Sequence, residues 1–579
     1  MSMSSVVDWF AKNANLKVNG ALSVENSFFK GVPSGYGLFV DLASINYDPN
    51  DVTIELLRIP RLATFSLDTL LELIKDETQY SSKENMEKLH ATVRAVFSQF
   101  LELDGLKSLL SETTVLVFYF TLLTLVKEEY ELPKTLRFYL EDVLLQVKVD
   151  NAPMFCEQAA ELYGQYSMFV ALKDVLDLLE DFFKNKVSCS RSVLPLLRQV
   201  YAAISSRSLE IPDEVAENSD DFVVNTTLVP LLDFANHSND LKNAHFDIDR
   251  QTRDVLLLLD VDRIPANATK FEIFISYSPV EDLISFIHYY GFVPSSADKC
   301  QFISLSFDRG YLREQEPMPA VNLRLFYKWM QINPVVQLIN FQNCWHINDS
   351  TEQFAYLLLA FMHSPDSESS SCWAYDPTCY RTFWYFQEHS SKRKEDYISI
   401  NDYKSRIASL ENDDSDLIDL PQLAWSMSFQ GDGLSTHRGR FPKDEALQLA
   451  PFDNERTFSN AIDLFAKFFL GYIEWRLDKL ENSEPHLTSP PLKQLVRLEK
   501  SVLLQLLHEP HLYYWSDRQV DCESYDCTLR PLLDRGHRDA DRNASKDVLS
   551  LENLSLEDYH PEDFTDFLQD ELKLYANLV

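Results

Sequence analysis

From residue 67 to residue 209 the apolar side chains recur at helical spacing, and on either side of that block the texture is that of short strands. A chain patterned this way has to assemble its β structure from segments more than a hundred residues apart. Leu67, Leu70, Leu71 and Ile74 open the helical block, and Leu172, Val175, Leu176 and Leu179 continue it. Upstream, residues 6–14 read as a short helix carrying Val7, Trp9 and Phe10. Gly35 and Gly37 then mark a tight turn entering a strand over 34–40, and 52–59 reads as a second strand closed by Pro60. Downstream, 227–232, 254–261 and the alternating run 271–276 supply further strands. After about residue 300 helical spacing returns, with Phe458, Ile462, Phe465, Phe469 and Ile473 on one face and a further helix over 492–507. Residues 364–371 and 411–416 are polar breaks read as exposed loops. Near the acidic end, Phe564, Phe567, Leu568 and Leu572 are spaced to dock as a short helix.

Several function classes fall away on composition. Fifty-three basic against 89 acidic residues leave a net charge of −36, which repels nucleic-acid phosphates and attracts a basic protein surface. With 579 residues, 45% of them apolar, the chain has material for two or three packed units. The eight cysteines are scattered without a CxxC pair, so zinc-ribbon and thioredoxin-type sites are excluded on spacing and reduced thiols in a cytosolic chain are expected. The first residues lack a basic stretch followed by an apolar one, and the apolar run 113–126 is shorter than the roughly 20 residues a bilayer requires. A cytoplasmic protein with no membrane span is the expectation. Glycine is scarce, at 13, and the chain contains no GxxxxGK, GxGxxG, GxSxG or HExxH. His508-Glu509-Pro510-His511 resembles a metal motif, but its proline breaks the helix such a motif needs, so no metal site is expected.

Four short segments remain. They are Ser34-Gly35-Tyr36-Gly37-Leu38-Phe39-Val40; Ser205-Ser206-Arg207-Ser208-Leu209; Val229-Pro230-Leu231-Leu232-Asp233-Phe234-Ala235-Asn236-His237-Ser238; and Tyr277 with Tyr290-Gly291-Phe292 thirteen residues on. Each alone is a common pattern. In this order, behind an N-terminal tryptophan helix and ahead of a helical C-terminal part containing Arg497-Leu498-Glu499-Lys500, they resemble the split-SET protein methyltransferases of the Rubisco large-subunit lysine methyltransferase class, in their fungal-type form.

The resemblance implies an α+β fold. A β-rich SET core with a pseudoknot (residues 1–66 and 205–300) would be interrupted by a helical insertion (67–204). An all-α substrate-binding domain (301–520) and an acidic, partly flexible tail (521–579) would follow. It further implies S-adenosyl-L-methionine as cofactor, held near Ser34, Tyr36, Arg207, Asn236, His237 and Tyr277. Tyr277 and Tyr290 match the catalytic tyrosines, and Leu209, Tyr290 and Phe292 the substrate channel. Asp233 is expected to organise the pseudoknot turn. Ser34 stands where many members carry a carboxylate, and Ser278-Pro279-Val280-Glu281 departs from the family's usual loop. One branch of the class methylates histidine and has asparagine two residues after the arginine of the second segment; Leu209 here favours lysine. The expected activity is therefore protein-lysine N-methylation by a monomer. The client would be a basic non-histone protein: a translation elongation factor first, a ribosomal protein or cytochrome c as alternatives, with a non-catalytic binding protein as a further one.

Methyl transfer from a sulfonium to an amine is an in-line displacement in which the enzyme mainly supplies alignment. The amine must lose the proton it holds up to a pKa of about 10.4. An apolar, tyrosine-lined channel favours that loss because desolvation penalises the ammonium form.

Overall fold

The computed structural model describes residues 4–29, 32–45, 47–48, 50–103, 106–146, 153–186, 192–214, 222–265, 268–278, 281–294, 302–314, 334–341, 344–347, 357, 455–508, 513–516 and 528–531. Helices and mainly antiparallel sheets are mixed in an α+β architecture. The chain divides into two compact units, Met1–Lys299 with Leu487–Leu495, and Cys300–His486 with Val496–Val579.

In the first unit, helix α1 (Ser4–Asn13) leads into β1 (Lys17–Val18), β2 (Leu22–Phe29), β3 (Val32–Asp41) and β4 (Thr53–Ile59). Among the described residues the α-helices that follow are α2 (Leu67–Lys75), α3 (Lys83–Leu101), α4 (Leu106–Leu109), α5 (Glu112–Val126), α6 (Lys134–Phe138), α7 (Glu157–Tyr163), α8 (Ser167–Lys186) and α9 (Leu194–Arg207). Strands then resume as β5 (Ser208–Glu214), β6 (Phe222–Leu228), β7 (Asn236–His237), β8 (Ala244–Ile248), β9 (Val255–Asp260), β10 (Lys270–Glu272) and β11 (Phe274–Ile275), before α10 (Leu283–Tyr290).

The first sheet runs β1-β4-β9-β8 and the second β10-β3-β2, so each sheet joins strands from before the helical block to strands from after it. β5 and β6 form a hairpin, and β7 pairs with β11 in parallel. The alternation in β9 buries Val255, Leu257 and Leu259 and leaves the residues between them half-exposed. Helix α5 is apolar all round and sits in the middle of the helical block. Phe118 stacks on Phe100 at 4.2 Å and meets Phe182 and Phe183 within 6 Å. Burial of each such ring contributes about 1.5–3 kcal/mol. Ser111 and Ser66 cap α5 and α2 through their side chains.

Two local expectations are corrected here. The glycine pair does not make a turn. Both glycines lie inside β3 opposite β2, and the register slips by one residue between Ser27 and Phe28, so that Gly35 sits at a β-bulge with φ +98°. The run 271–276 is not one strand either. Buried Asn243 donates its side-chain amide to the Glu272 carbonyl (2.9 Å) and accepts the Phe274 N–H (3.0 Å), while Ile273 N–H bonds to Leu38 (2.7 Å). These bonds divide the run between two sheets.

The second unit corrects the expectation of an all-α C-terminal domain. It contains a five-stranded sheet of β12 (Phe302–Ser306), β13 (Val335–Phe341), β14 (Cys344–Ile347), β15 (Tyr513–Ser516) and β16 (Thr528–Pro531). Their runs of four to seven residues are too short to show a period against the long helical stripes around them. The helices expected over the phenylalanine stripe and over 492–507 are present as Glu455–Ser483 and Pro490–His508. Phe465, Phe469 and Ile473 are buried, and Tyr472 and Tyr311 donate their hydroxyls to the carbonyls of Ser306 (2.7 Å) and Phe468 (2.8 Å). Arg476 and Glu499, neither exposed, form a two-bond ion pair at 2.7 and 3.1 Å. The loops expected at 364–371 and 411–416 and the helix expected near Phe564 lie outside the described residues.

Candidate active site

The residues that approach one another around β7 come from four separate stretches of sequence. Leu231, at φ +69°, turns the chain out of the apolar segment after β6 into a single helical turn, Leu232–Phe234. That turn delivers Asn236 and His237 to β7, where they pair with Phe274 and Ile275 of β11. The pairing brings Tyr277 alongside: its N–H donates to His237 Nδ1 (2.9 Å), and its hydroxyl donates to the Ala235 carbonyl (2.9 Å). His237 Nδ1 is thereby the unprotonated nitrogen, and Nε2 carries the proton shared with Glu281 at 2.9 Å. The His237 side chain is fully buried with both nitrogens engaged, so it acts as a clamp on the Tyr277 main chain.

Helix α10 supplies the facing wall. Asp282 caps it through a 2.8 Å bond from Ser285 N–H, and Gly291, at φ +76°, ends it directly after Tyr290. The Tyr277 and Tyr290 rings lie 4.9 Å apart; Phe286 is 5.0 Å from Tyr290 and 4.9 Å from His237. Phe292, 36% exposed, closes the cluster 6.1 Å from Tyr290. Burial pushes both phenols up, Tyr290 to about 12 with a smaller contribution from Glu210, and Tyr277 further. Both are neutral at physiological pH.

Asn236 points the other way, toward β3. Its amide donates to the Tyr36 carbonyl (3.3 Å) and to the Glu272 carboxylate (2.6 Å), whose second oxygen accepts from Ser27 (2.9 Å). Gly37 leaves room beneath them: a Cβ there would overlap the Glu272 carboxylate and lie 3.0 Å from the Asn236 amide nitrogen, so a larger residue would displace that pair. Glu25 and Lys270 pair on the same sheet. Below the β7 segment, Arg207 at the end of α9 donates to the Asp233 carboxylate and carbonyl, both at 3.1 Å, and lies over the Phe234 ring. Tyr139 donates its hydroxyl to the same carboxylate (2.8 Å). Tyr139 also packs on Phe65 at 4.8 Å, and Phe138 beside it stacks on Trp9 at 3.7 Å.

Asn236, His237, Tyr277, Tyr290 and Phe292 therefore converge, with the Tyr36 main chain and Arg207 at the edges. Ser34 lies in β3, and its side chain is outside the described residues. Leu209 is on β5 opposite Thr227, half-buried, one residue before Glu210. The sequence reading missed Glu272, Ser27 and Tyr139, and noted Glu281 only as a departure in a loop. The alternation of 271–276 sets Glu272 on the face opposite Ile273, but a partner at residue 236 has no local signal. Among the described residues no group of His, Cys, Asp and Glu could hold a metal ion, and no helix is long and apolar enough to cross a membrane.

The model of the family described as cytochrome c lysine N-methyltransferase 1 matches residues 3–516. The chain belongs to this family. It is 34% identical over 590 residues to the cytochrome c lysine N-methyltransferase 1 of Saccharomyces cerevisiae, covering 99% of both chains. The proteins of the same description from Kluyveromyces lactis and Candida glabrata are 33% and 28% identical, over 64% and 82% of this chain and 73% and 88% of theirs. The chain is thus a protein-lysine N-methyltransferase, and the family implies S-adenosylmethionine as methyl donor. These relatives are named for cytochrome c, and none for a translation factor or ribosomal protein.

Proposed function

We propose that this chain methylates a lysine of cytochrome c through a split SET core of the Rubisco large-subunit methyltransferase class. The relatives' shared name and the end-to-end match to the Saccharomyces cerevisiae protein support that substrate over the elongation factor expected from sequence. A charge of −36 suits a basic client. In this reading residues 1–66 and 205–300 form the core with its pseudoknot and 67–204 the insertion, while 301–520 binds substrate. The protein works as a cytoplasmic monomer.

The observation that carries the chemistry is the Tyr277–Tyr290 pair set among His237, Phe286 and Phe292. The residues beside it fit S-adenosylmethionine. At Gly35 a Cβ would meet nothing within 4 Å, and Tyr36 is 42% exposed, so the β3 main chain borders open space. Asn236, Glu272, Arg207 and the main chain of residues 34–36 would hold the cofactor, the Glu272 carboxylate matching its positive charge. When bound, it supplies a sulfonium methyl group to the amine nitrogen.

The tyrosine cluster handles the amine. The aromatic walls strip water from the incoming lysine and favour its neutral form, releasing the proton to solvent. Tyr277 is a neutral phenol whose proton is committed to Ala235, so its oxygen lone pairs accept an amine N–H and align the nitrogen. It positions the amine and does not act as its base. His237 and Glu281 hold Tyr277 in place.

The test incubates the purified chain with radiolabelled S-adenosylmethionine and cytochrome c, with Tyr277→Phe alongside, and maps the label by mass spectrometry. A labelled lysine that fades in the variant is the expected result. Label on histidine, or a variant as active as the parent, would sink this mechanism; cytochrome c left unlabelled while another protein of a cell extract is labelled would sink the substrate.

A further inference from the structure

The last turn of α9 is fastened to the end of α10. Ser205 Oγ donates to the Tyr289 carbonyl at 3.3 Å, one residue before Tyr290. α9 passes into β5 without a loop, so that strand sets out from beside the tyrosine pair. Pairing with β6 then fixes its course, with Ser208 opposite Leu228, Leu209 opposite Thr227 and Glu210 opposite Thr226. Glu210 is exposed, and its carboxylate acts on Tyr290: burial is the main cause that raises this phenol, and Glu210 is the next. The carboxylate is therefore within electrostatic reach of a ring that also has the partly exposed Phe292 6.1 Å away. We propose that Glu210 receives the charged head of the target lysine at the mouth of the tyrosine cluster and so selects a cationic side chain for entry. This rests on the reading of the Tyr277–Tyr290 pair as the amine site.

The other acids around the pair are committed to neighbours. Glu281 meets His237 Nε2 at 2.9 Å, Glu272 accepts from Asn236 and Ser27, and Asp233 accepts from Arg207 and Tyr139. Glu112 accepts the N–H of Thr226, the residue opposite Glu210. The Glu210 side chain has no ion-pair or hydrogen-bond partner among the described residues.

The position suits the task. A lysine arrives as an ammonium ion, because its ordinary pKa is about 10.4, and it has to be neutral to take the methyl group. A carboxylate inside the aromatic cluster would hold the proton on the amine and oppose transfer. At the exposed rim it attracts the cation and releases it as the side chain moves inward, where burial favours the neutral form. Exposed ion pairs are weak, so the lysine is not trapped there. The faces of Tyr290 and Phe292 attract the same cation. A charge placed this way acts on encounter and binding more than on the transfer step.

The experiment measures methylation of cytochrome c at low salt by the full chain, by Glu210→Gln and by Glu210→Lys. KM should rise about two- to fivefold in the first variant and roughly tenfold or more in the second, with kcat kept within about twofold. Added salt should narrow the gap between parent and Glu210→Gln. Melting temperature and S-adenosylmethionine affinity should not move, because the side chain is exposed and lies outside the cofactor contacts. n-Butylammonium carries the same head on a four-carbon stem, so it should compete with cytochrome c and do so less well against Glu210→Gln. An unchanged KM, a loss confined to kcat, or equal butylammonium inhibition of parent and variant would each overturn the proposal, the last by showing that Glu210 meets some other charge on the client. Tyr277→Phe, run in parallel, separates the two failures. Full activity of that variant would remove the amine site itself, whereas its impairment beside an unaffected Glu210→Gln would remove only the role of Glu210. If the parent labels another protein of a cell extract and not cytochrome c, the substrate reading fails and the same comparison is made on that protein.

Discussion

Replacing Asp233 by Asn tests what anchors the arginine beneath β7. The carboxylate is fully buried and the Arg207 side chain keeps 18% exposure. Removing one partner of a buried ion pair costs about 3–5 kcal/mol. Several features put this case at the low end. Arg207 is partly solvated, keeps its bond to the Asp233 carbonyl and keeps the Phe234 ring beneath it. An amide oxygen would still accept from Tyr139. Acting against these, Oδ1 has no hydrogen-bond partner, and an amide nitrogen there would be a buried donor without an acceptor, at about 1–3 kcal/mol. The expected loss is about 3–4 kcal/mol, set against total stabilities of about 5–15 kcal/mol. Urea unfolding followed by far-ultraviolet circular dichroism and tryptophan fluorescence measures it, and Trp9, stacked on Phe138, reports from the same unit. Tyr139→Phe should cost less, about 1.5–3 kcal/mol, because it removes one bond to a charged acceptor and keeps the ring. A neutral Asp233→Asn would refute the ion-pair reasoning, because it would mean a protonated carboxyl. Burial is the largest influence on that group and pushes its pKa up. A protonated Asp233 with a raised folded pKa would stabilise most below the ordinary aspartate range and lose that contribution as pH rises through the folded value.

Gly37→Ala drives a methyl into the Glu272 carboxylate and the Asn236 amide. It should cost about 1–3 kcal/mol and weaken S-adenosylmethionine affinity by calorimetry, whereas unchanged affinity would remove that pair from the cofactor reading. Glu499→Gln should destabilise by about 3 kcal/mol, while Arg476→Met with Glu499→Leu should come close to neutral in the same unfolding assay. The pH profile of kcat/KM should show no tyrosine limb below about 12, since Tyr290 titrates there and Tyr277 higher. The folded Tyr290 pKa lies above its ordinary 10, so its contribution to stability is full below 10 and lost as pH rises through 12. A Tyr290→Phe variant that altered the profile near neutrality would contradict the assignment.

Much of the first unit is legible in the sequence because its signals are local. The stripe of α8, the apolar run of α5 and the alternation of β9 each declare one element from neighbouring residues. The order of motifs around Tyr36, Arg207, Asn236, His237, Tyr277 and Tyr290 was likewise enough to name a chemistry. The failures occurred where a distant group redirects a local preference. Asn243 breaks the run 271–276, and the β-bulge opposite Ser27 takes up the glycine that reads as a turn.

By itself, then, the sequence determined the alternation of β and helical blocks and the motif-bearing enzyme classes the chain does not match, because those follow from periodicity, residue type and spacing. Only the tertiary structure decided that Glu272 holds Asn236, that Tyr139 from the helical block holds Asp233, and that His237 spends one ring nitrogen on the Tyr277 N–H and the other on Glu281. Those bonds join residues 36 to 94 positions apart. A hydrogen bond depends on a few tenths of an ångström and on direction, and only the packed chain sets these.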